Sequence, residues 1–294
     1  ITVEAVARDA GAAEVTVVSR GGRVNYENVY GLCGTAQVII NATPVGMYPN
    51  TGDSPVELER FPSCEGVLDV IYNPLFSRLL LDAKRLGIPF ANGLSMLAAQ
   101  ANKSADLFFG GELTPKNSID DIVIELTLRF TNIVLIGMPG SGKTTVGKIL
   151  AKQTGKAFTD TDEMIEQKAG MHIPAIFEQY GEDYFRNLEA DAIEKAGKEK
   201  GQIISTGGGA VLRHENYLNL KQNGFLVFIQ RDLKRLASKG RPLSSDLPAV
   251  EKLYEKRLPL YNAYCDIAVH NNGTADLAAQ DALRQFVQTV AVKL

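Results

Sequence analysis

Apolar residues recur along this chain in two alternating rhythms, which predict strands and helices in turn. Residues 133–136, Ile-Val-Leu-Ile, form a short β-branched run suited to a strand buried on both faces. Residues 146–153 follow with helical spacing, Phe158 ends a further short strand, and Ile203 with Ile204 marks another. Residues 275–290 read as an amphipathic helix with Leu277, Leu283, Phe286 and Val287 available for packing. The first half repeats the alternation. Helices are predicted over 2–10 (closed by Gly11), 25–32, 74–86 (stopped by Gly87), 95–109 (ended by Gly110-Gly111) and 119–130. Strands are predicted over 14–19, 37–42, 67–72 and 88–91. Strands alternating with helices imply parallel sheets, hence an α/β protein.

Length and composition narrow this picture. A chain of 294 residues suggests two ordinary domains, here 1–112 and 132–294. Residues 113–131 join them, with a turn at 114–117 and Ser118 as the helix N-cap. Hydrophobic content of 45% and charged content of 22% suffice for two soluble cores. A net charge of −3 gives no general attraction to nucleic acid. Cys33, Cys64 and Cys265 are odd in number and widely spaced, reading as reduced thiols of a cytoplasmic protein. The three histidines lack metal-ligand spacing, and no apolar run reaches membrane-spanning length. Oligomeric state is not legible. The chain opens on Ile1 rather than Met, which favours a fragment or a processed product.

The chemistry centres on Gly137-x-x-x-x-Gly142-Lys143-Thr144, a P-loop pattern directly after a predicted strand and before a predicted helix. Glycines at 137, 140 and 142 let backbone N–H groups converge on phosphate oxygens, so Gly140 to Thr145 are the expected nucleotide-binding residues. Lys143 brings a mobile positive charge to the outer phosphates, and the Thr144 hydroxyl is a hard oxygen ligand for Mg²⁺. Downstream, Asp160-Thr161-Asp162 ends a strand. Two carboxylates at that spacing divide labour: Asp160 for Mg²⁺, through water, and Asp162 for the proton of an attacking hydroxyl.

Beyond the P-loop and Asp160-Thr161-Asp162, four further stretches bring a family into view: Phe185-Arg186 through Glu189, Gly207-Gly208-Gly209-Ala210-Val211, Arg241-Pro242-Leu243, and Arg257-Leu258-Pro259-Leu260-Tyr261. In this order they resemble shikimate kinase over essentially all of 132–294. The resemblance implies a three-layer P-loop domain of the nucleoside-monophosphate-kinase type. It implies ATP and Mg²⁺, with transfer of the γ-phosphoryl to the 3-hydroxyl of shikimate. Arg186, Arg257 and Gly207 to Gly209 would bind the acceptor, Phe177 and Phe185 would wall it, and Glu189 would orient Arg186. Residues 237–248 would be a lid bringing Arg241 onto the phosphates as a catalytic group. The family places another arginine before this lid; Arg235 is the candidate, about one residue short of the family spacing. The adenine-side stretch near Asn271 to Thr274 matches loosely.

In the first half, Asn41-Ala42-Thr43-Pro44-Val45-Gly46-Met47, then Asp69-Val70-Ile71-Tyr72-Asn73-Pro74, then Asn92-Gly93-Leu94-Ser95-Met96-Leu97 through Gln100 occur in order. They resemble the C-terminal, NADP-binding part of shikimate dehydrogenase and imply a partial Rossmann-type domain. Arg20, with Arg23, would meet the 2′-phosphate of NADP where an NAD-binding fold carries an acid. Asn41 to Thr43 would line the cofactor, Gly93 and Met96 the nicotinamide, and Tyr72 and Gln100 the shikimate. The family's glycine loop, first strand and catalytic lysine and aspartate are not in these residues. The expectation is therefore a truncated piece of a dehydrogenase–kinase fusion, without hydride transfer. Two rivals to the kinase reading are a P-loop kinase for another carboxylate-bearing polyol such as gluconate, and a nucleotide-binding regulator without catalysis.

Overall fold

The computed structural model of the chain describes residues 2–110, 119–236 and 247–292. It divides into two compact units, Ile1–Ile119 and Asp120–Leu294.

The first unit contains helices α1 (Thr2–Asp9), α2 (Val29–Cys33), α3 (Arg78–Leu86) and α4 (Leu94–Phe109), and strands β1 (Val38–Asn41), β2 (Gly66–Asp69) and β3 (Phe90–Ala91). The strands pair in parallel in the order β1-β2-β3. Helix α3 starts where the Ser77 hydroxyl accepts the Leu80 N–H, and it ends at Gly87, whose φ of 72° suits a left-handed cap. Its buried face, Leu79, Leu80 and Ala83, packs on Val67 and Leu58. The other face of the sheet is bare in part, with Val38 55% and Leu68 43% exposed.

One expected strand does not form. Residues 14–19 make only an isolated bridge, Val18 to Val24, and Val17 is 59% exposed. A strand is stabilised by its neighbours' hydrogen bonds and packing rather than by its own sequence, and here no strand of the sheet pairs with it.

The second unit begins in α5 (Ile119–Phe130). That helix groups with the second unit. Its C-terminal carbonyls explain why: the Lys156 ammonium donates to Leu128 O, Arg129 O and Thr131 O at 2.9, 2.8 and 3.1 Å. Burial lowers the Lys156 pKa to about 8. The expected turn at 114–117 and the Ser118 cap lie outside the described residues. Then follow β4 (Asn132–Ile136), α6 (Lys143–Thr154), β5 (Ala157–Asp160), α7 (Thr161–Ala169), α8 (Ile173–Lys198), β6 (Gln202–Ser205), α9 (His214–Lys221), β7 (Gly224–Gln230), α10 (Leu247–Tyr264), β8 (Ile267–His270) and α11 (Ala275–Val292).

These five strands are parallel, in the order β5-β6-β4-β7-β8, with the P-loop strand β4 at the centre. Alternate residues of β4 feed two cores. Val134 and Ile136 meet Ile193, Phe228 and Tyr261 on one face. Ile133 and Leu135 meet Val146, Leu150 and Phe286 on the other. Every residue of β4 is buried, which is why its sequence reads as a continuous apolar run. The result is a three-layer α/β domain whose loops after β4, β5, β6 and β7 open at the carboxyl edge of the sheet. No described helix is long and apolar enough to cross a membrane.

Candidate active site

The P-loop turns between β4 and α6 with φ of 146°, 83° and 95° at Gly137, Gly140 and Gly142. At Gly142 a side chain would also run into the amide of Asn271, so both backbone and space call for glycine. Helix α6 starts at Lys143, three residues earlier than the apolar spacing suggests, so its first N–H groups belong to the loop. The Lys143 ammonium is buried and donates to Gly137 O and Met138 O, both at 2.9 Å.

Asp160 sits at the end of β5 and joins two neighbours. Its Oδ1 accepts the Asp162 N–H at 3.0 Å, capping α7, and its Oδ2 accepts the Thr144 hydroxyl at 2.9 Å. The Ser205 hydroxyl lies 3.3 Å from that of Thr144. Asp162 points toward the same space. Its Oδ1 is buried with no hydrogen-bond partner among the described residues. Burial first, then the charge of Asp160, pushes its pKa up to about 6, against the pull of Lys143.

Helix α8 breaks at Gly181, where φ is 81°, and its second half carries Phe185, Arg186 and Glu189. The Arg186 guanidinium is held from two sides: by Glu189 Oε2 at 2.7 Å, and by Glu182 Oε1 at 2.9 and 3.2 Å. Glu189 is 1% exposed, and its other oxygen has no partner among the described residues. Desolvation raises its pKa, with Arg186 opposing. The triple glycine explains how these groups share one space. A side chain at Gly209 would overlap the Arg186 guanidinium, and one at Gly207 would stand 2.7 Å from Asp162 and 2.9 Å from Glu189. From α10, Arg257 donates Nη1 to Gly208 O at 3.1 Å, and the Tyr261 hydroxyl donates to the same oxygen at 2.6 Å. Arg257 is buried, yet its Nε has no partner among the described residues.

One cavity of about 550 Å³ joins the two sets. Gly140 and Gly142 to Thr145 line one part; Asp160, Asp162, Arg186, Gly207 to Gly209 and Arg257 line the rest. Phe177 and Phe185, with ring centroids 4.6 Å apart, form part of its wall. Ser141 is the exception within the loop: it is 1% exposed and does not line the cavity. Arg241 lies outside the described residues, as does 237–246 of the expected lid. Arg235 is exposed and bonds the Asn272 carbonyl.

Sequence reasoning passed over several groups. Glu182 lies one helical turn before Arg186, the usual spacing for an ion pair. Arg231 follows the apolar run of β7, a position at the carboxyl edge beside the P-loop strand. Ser205, at the end of β6, carried no signal of its own.

In the first unit, Asn41 and Thr43 come together. Asn41 Oδ1 accepts the Thr43 N–H and hydroxyl at 3.0 and 2.7 Å, and its amide donates to Asp69 at 3.1 Å. Asp69 also accepts from the Ser77 hydroxyl at 2.5 Å and the Ile71 N–H at 3.0 Å. Gly93 is buried against the Val70 carbonyl, with no space for a side chain. Tyr72, Met96 and Gln100 are exposed. Arg20 is exposed in a turn with no strand leading into it, unlike the strand-end position expected of it.

A family model described as "Shikimate kinase" matches residues 139–291. A shikimate kinase of Thermodesulfovibrio yellowstonii is 38% identical over 164 residues, covering 53% of this chain and 94% of that protein. One of Clostridium botulinum is 41% identical over 150 residues, covering 48% and 88%. Among solved structures, shikimate kinase from Acinetobacter baumannii in complex with shikimate is 33% identical. It covers 56% of this chain and 98% of its own, at a TM-score of 0.53.

Proposed function

This chain belongs to the shikimate kinase family, and on that premise we propose how its residues move the γ-phosphoryl of MgATP to the 3-hydroxyl of shikimate. Phosphoryl transfer asks for positioning and charge stabilisation more than for covalent help. The P-loop amides of Gly140 to Thr145 cradle the phosphates, and Lys143 exchanges its loop carbonyls for phosphate oxygens. Arg241 is the further cation of the transferring group.

Thr144 and Asp160 are the Mg²⁺ residues. A hydroxyl and a carboxylate already 2.9 Å apart suit an ion that takes few protein oxygens and fills its shell with water and phosphate. The ion supplies charge neutralisation between the phosphates.

Arg186 and Arg257 grip the shikimate carboxylate, whose two oxygens match a planar fork. Glu189 and Glu182 fix the Arg186 plane. The backbone at Gly207 to Gly209 approaches the ring closely. Asp162 accepts the proton of the 3-hydroxyl as its oxygen bonds to the γ-phosphorus and the bond to the β-phosphate bridging oxygen breaks. A carboxylate raised to about 6 is still ionised at neutral pH and is a stronger base than an ordinary aspartate. The single observation behind this reading is that Lys143, Asp162, Arg186 and Arg257 line one cavity.

The test is ADP release with shikimate, with gluconate and with no acceptor. Release that depends strictly on shikimate is expected. Equal release with gluconate would shift the reading to the polyol kinase, and nucleotide binding without release in any arm would leave the non-catalytic regulator.

For residues 1–112 the proposal is an NADP-binding module of shikimate dehydrogenase type, supported by its three ordered motifs and by Asn41 and Thr43 at the carboxyl end of β1. Arg20 would supply the 2′-phosphate contact from a turn rather than from a strand end. Titration with NADP and NAD tests it: tighter NADP binding that Arg20→Ala removes is expected, and equal affinity would refute the assignment. No NADP-dependent oxidation of shikimate is expected from these residues.

A further inference from the structure

A loop that turns its N–H groups inward onto phosphates turns carbonyls outward, and those carbonyls need donors of their own. Two side chains from one side of β4 supply them. Arg231, directly after β7, donates Nη1 to Gly140 O at 3.2 Å. Asn271, directly after β8, donates its amide to Ser141 O at 2.7 Å. Strands β7 and β8 lie across β4 from β6 and β5, after which come the glycine triplet and the two aspartates. Arg231 therefore reaches the P-loop from the side opposite the glycine triplet and the two aspartates.

Arg231 has capacity left over. It lines the cavity with Gly140, Gly142 and Lys143, and its Nε is buried with no hydrogen-bond partner among the described residues. A guanidinium N–H withdrawn from water is costly unless something accepts from it, and the best acceptor for that planar, always charged group is an anion.

We propose that Arg231 is a further nucleotide-binding residue of this kinase. One edge of its guanidinium holds the Gly140 carbonyl outward, keeping the loop's N–H groups aimed inward. The Nε edge donates to a phosphate oxygen of the bound nucleoside triphosphate, a contact separate from that of Lys143. The proposal rests on the P-loop being the nucleotide site.

Arg231→Gln and Arg231→Lys test it by steady-state kinetics and ADP binding, with Lys143→Ala in parallel. Arg231→Gln is expected to raise KM for ATP and weaken ADP by about tenfold or more, the loss of one charge-assisted contact. Adenosine binding and the KM for shikimate should stay within about twofold, because neither engages a phosphate contact. Arg231→Lys, which keeps the charge, should recover part of the loss; should the Gln variant not fold, a weakening of ADP by about threefold or more in the Lys variant decides instead. An unchanged KM for ATP, or an equal rise for shikimate, would overturn the proposal. If Lys143→Ala also leaves ATP affinity and turnover untouched, the P-loop reading itself fails; silence confined to Arg231 rejects this inference alone.

Discussion

At the carboxyl end of β1 and β2, Asn41, Thr43, Asp69 and Ser77 hydrogen-bond to one another and to nearby backbone. At the carboxyl end of β4, β5 and β6, Asp162, Glu189 and Arg257 keep buried atoms without partners. Seven buried side-chain polar atoms lack a partner among the described residues, and four of them belong to residues lining the kinase cavity. Only Asn73 Oδ1 falls in the first unit. Both ends are parallel-sheet edges of the kind where α/β proteins bind ligands. The first network is closed on itself and holds a turn in shape. The second carries unmet hydrogen-bonding capacity, a cost that persists where a ligand offsets it; burial raises the pKa of Asp69 in the first as it does that of Asp162 in the second.

The sheets differ in the same sense. Strand β4 is buried throughout, whereas β2 alternates buried and outward residues, with Leu68 43% exposed. Parallel sheets are stable when both faces are covered. The second unit meets that condition with two cores, and the first meets it on the α3 face.

The largest expected effects follow from this contrast. Lys143→Ala and Asp162→Asn should each lower shikimate-dependent turnover by about a hundredfold or more. Asn41→Ala, in the self-satisfied network, should leave turnover unchanged; equal losses at both ends would break the comparison. Asp162→Asn should also stabilise. A folded-state pKa raised from 3.8 to about 6 contributes stability that is present below the lower value and lost as pH rises through the higher. At pH 7 the neutral amide avoids that loss, and the melting temperature should rise. A lower melting temperature would argue against a carboxyl raised by burial.

Packing comes next. Leu135→Ala, in a strand covered on both faces, should cost about 2–5 kcal/mol in denaturant unfolding. Leu68→Ala should cost about 0.5 kcal/mol or less, and a loss matching that of Leu135→Ala would mean the β2 face is covered. Arg186→Lys should raise the KM for shikimate about tenfold, since the fork and its Glu182–Glu189 clamp are lost together. The smallest effect is at Arg20, where Ala should leave every kinase constant within about twofold.

The P-loop was legible because its chemistry is local: strand, glycines, lysine and helix follow one another within about a dozen residues. Asp160 and Asp162 were legible for the same reason. Arg186, the glycine triplet and Arg257 are far apart in the chain, and only the folded sheet with the helices packed on it brings them together. Periodicity could not have joined them; the family pattern did. The expected strand at 14–19 shows the opposite limit. Its valines carry β propensity, but a strand exists only with a neighbour. Arg231 was passed over because one charged residue after an apolar run has no meaning until the P-loop carbonyl beside it is seen.

The central claim is that burial beside Asp160 makes Asp162 the base of the transfer. The pH dependence of kcat/KM for shikimate at saturating MgATP reads that carboxyl in the enzyme before the acceptor binds. The account predicts a constant value at neutral pH and a fall, approaching tenfold per pH unit, that begins above the ordinary aspartate range, because burial holds the Asp162 carboxyl up. A profile that stays flat down to the ordinary aspartate range near pH 4 would contradict it.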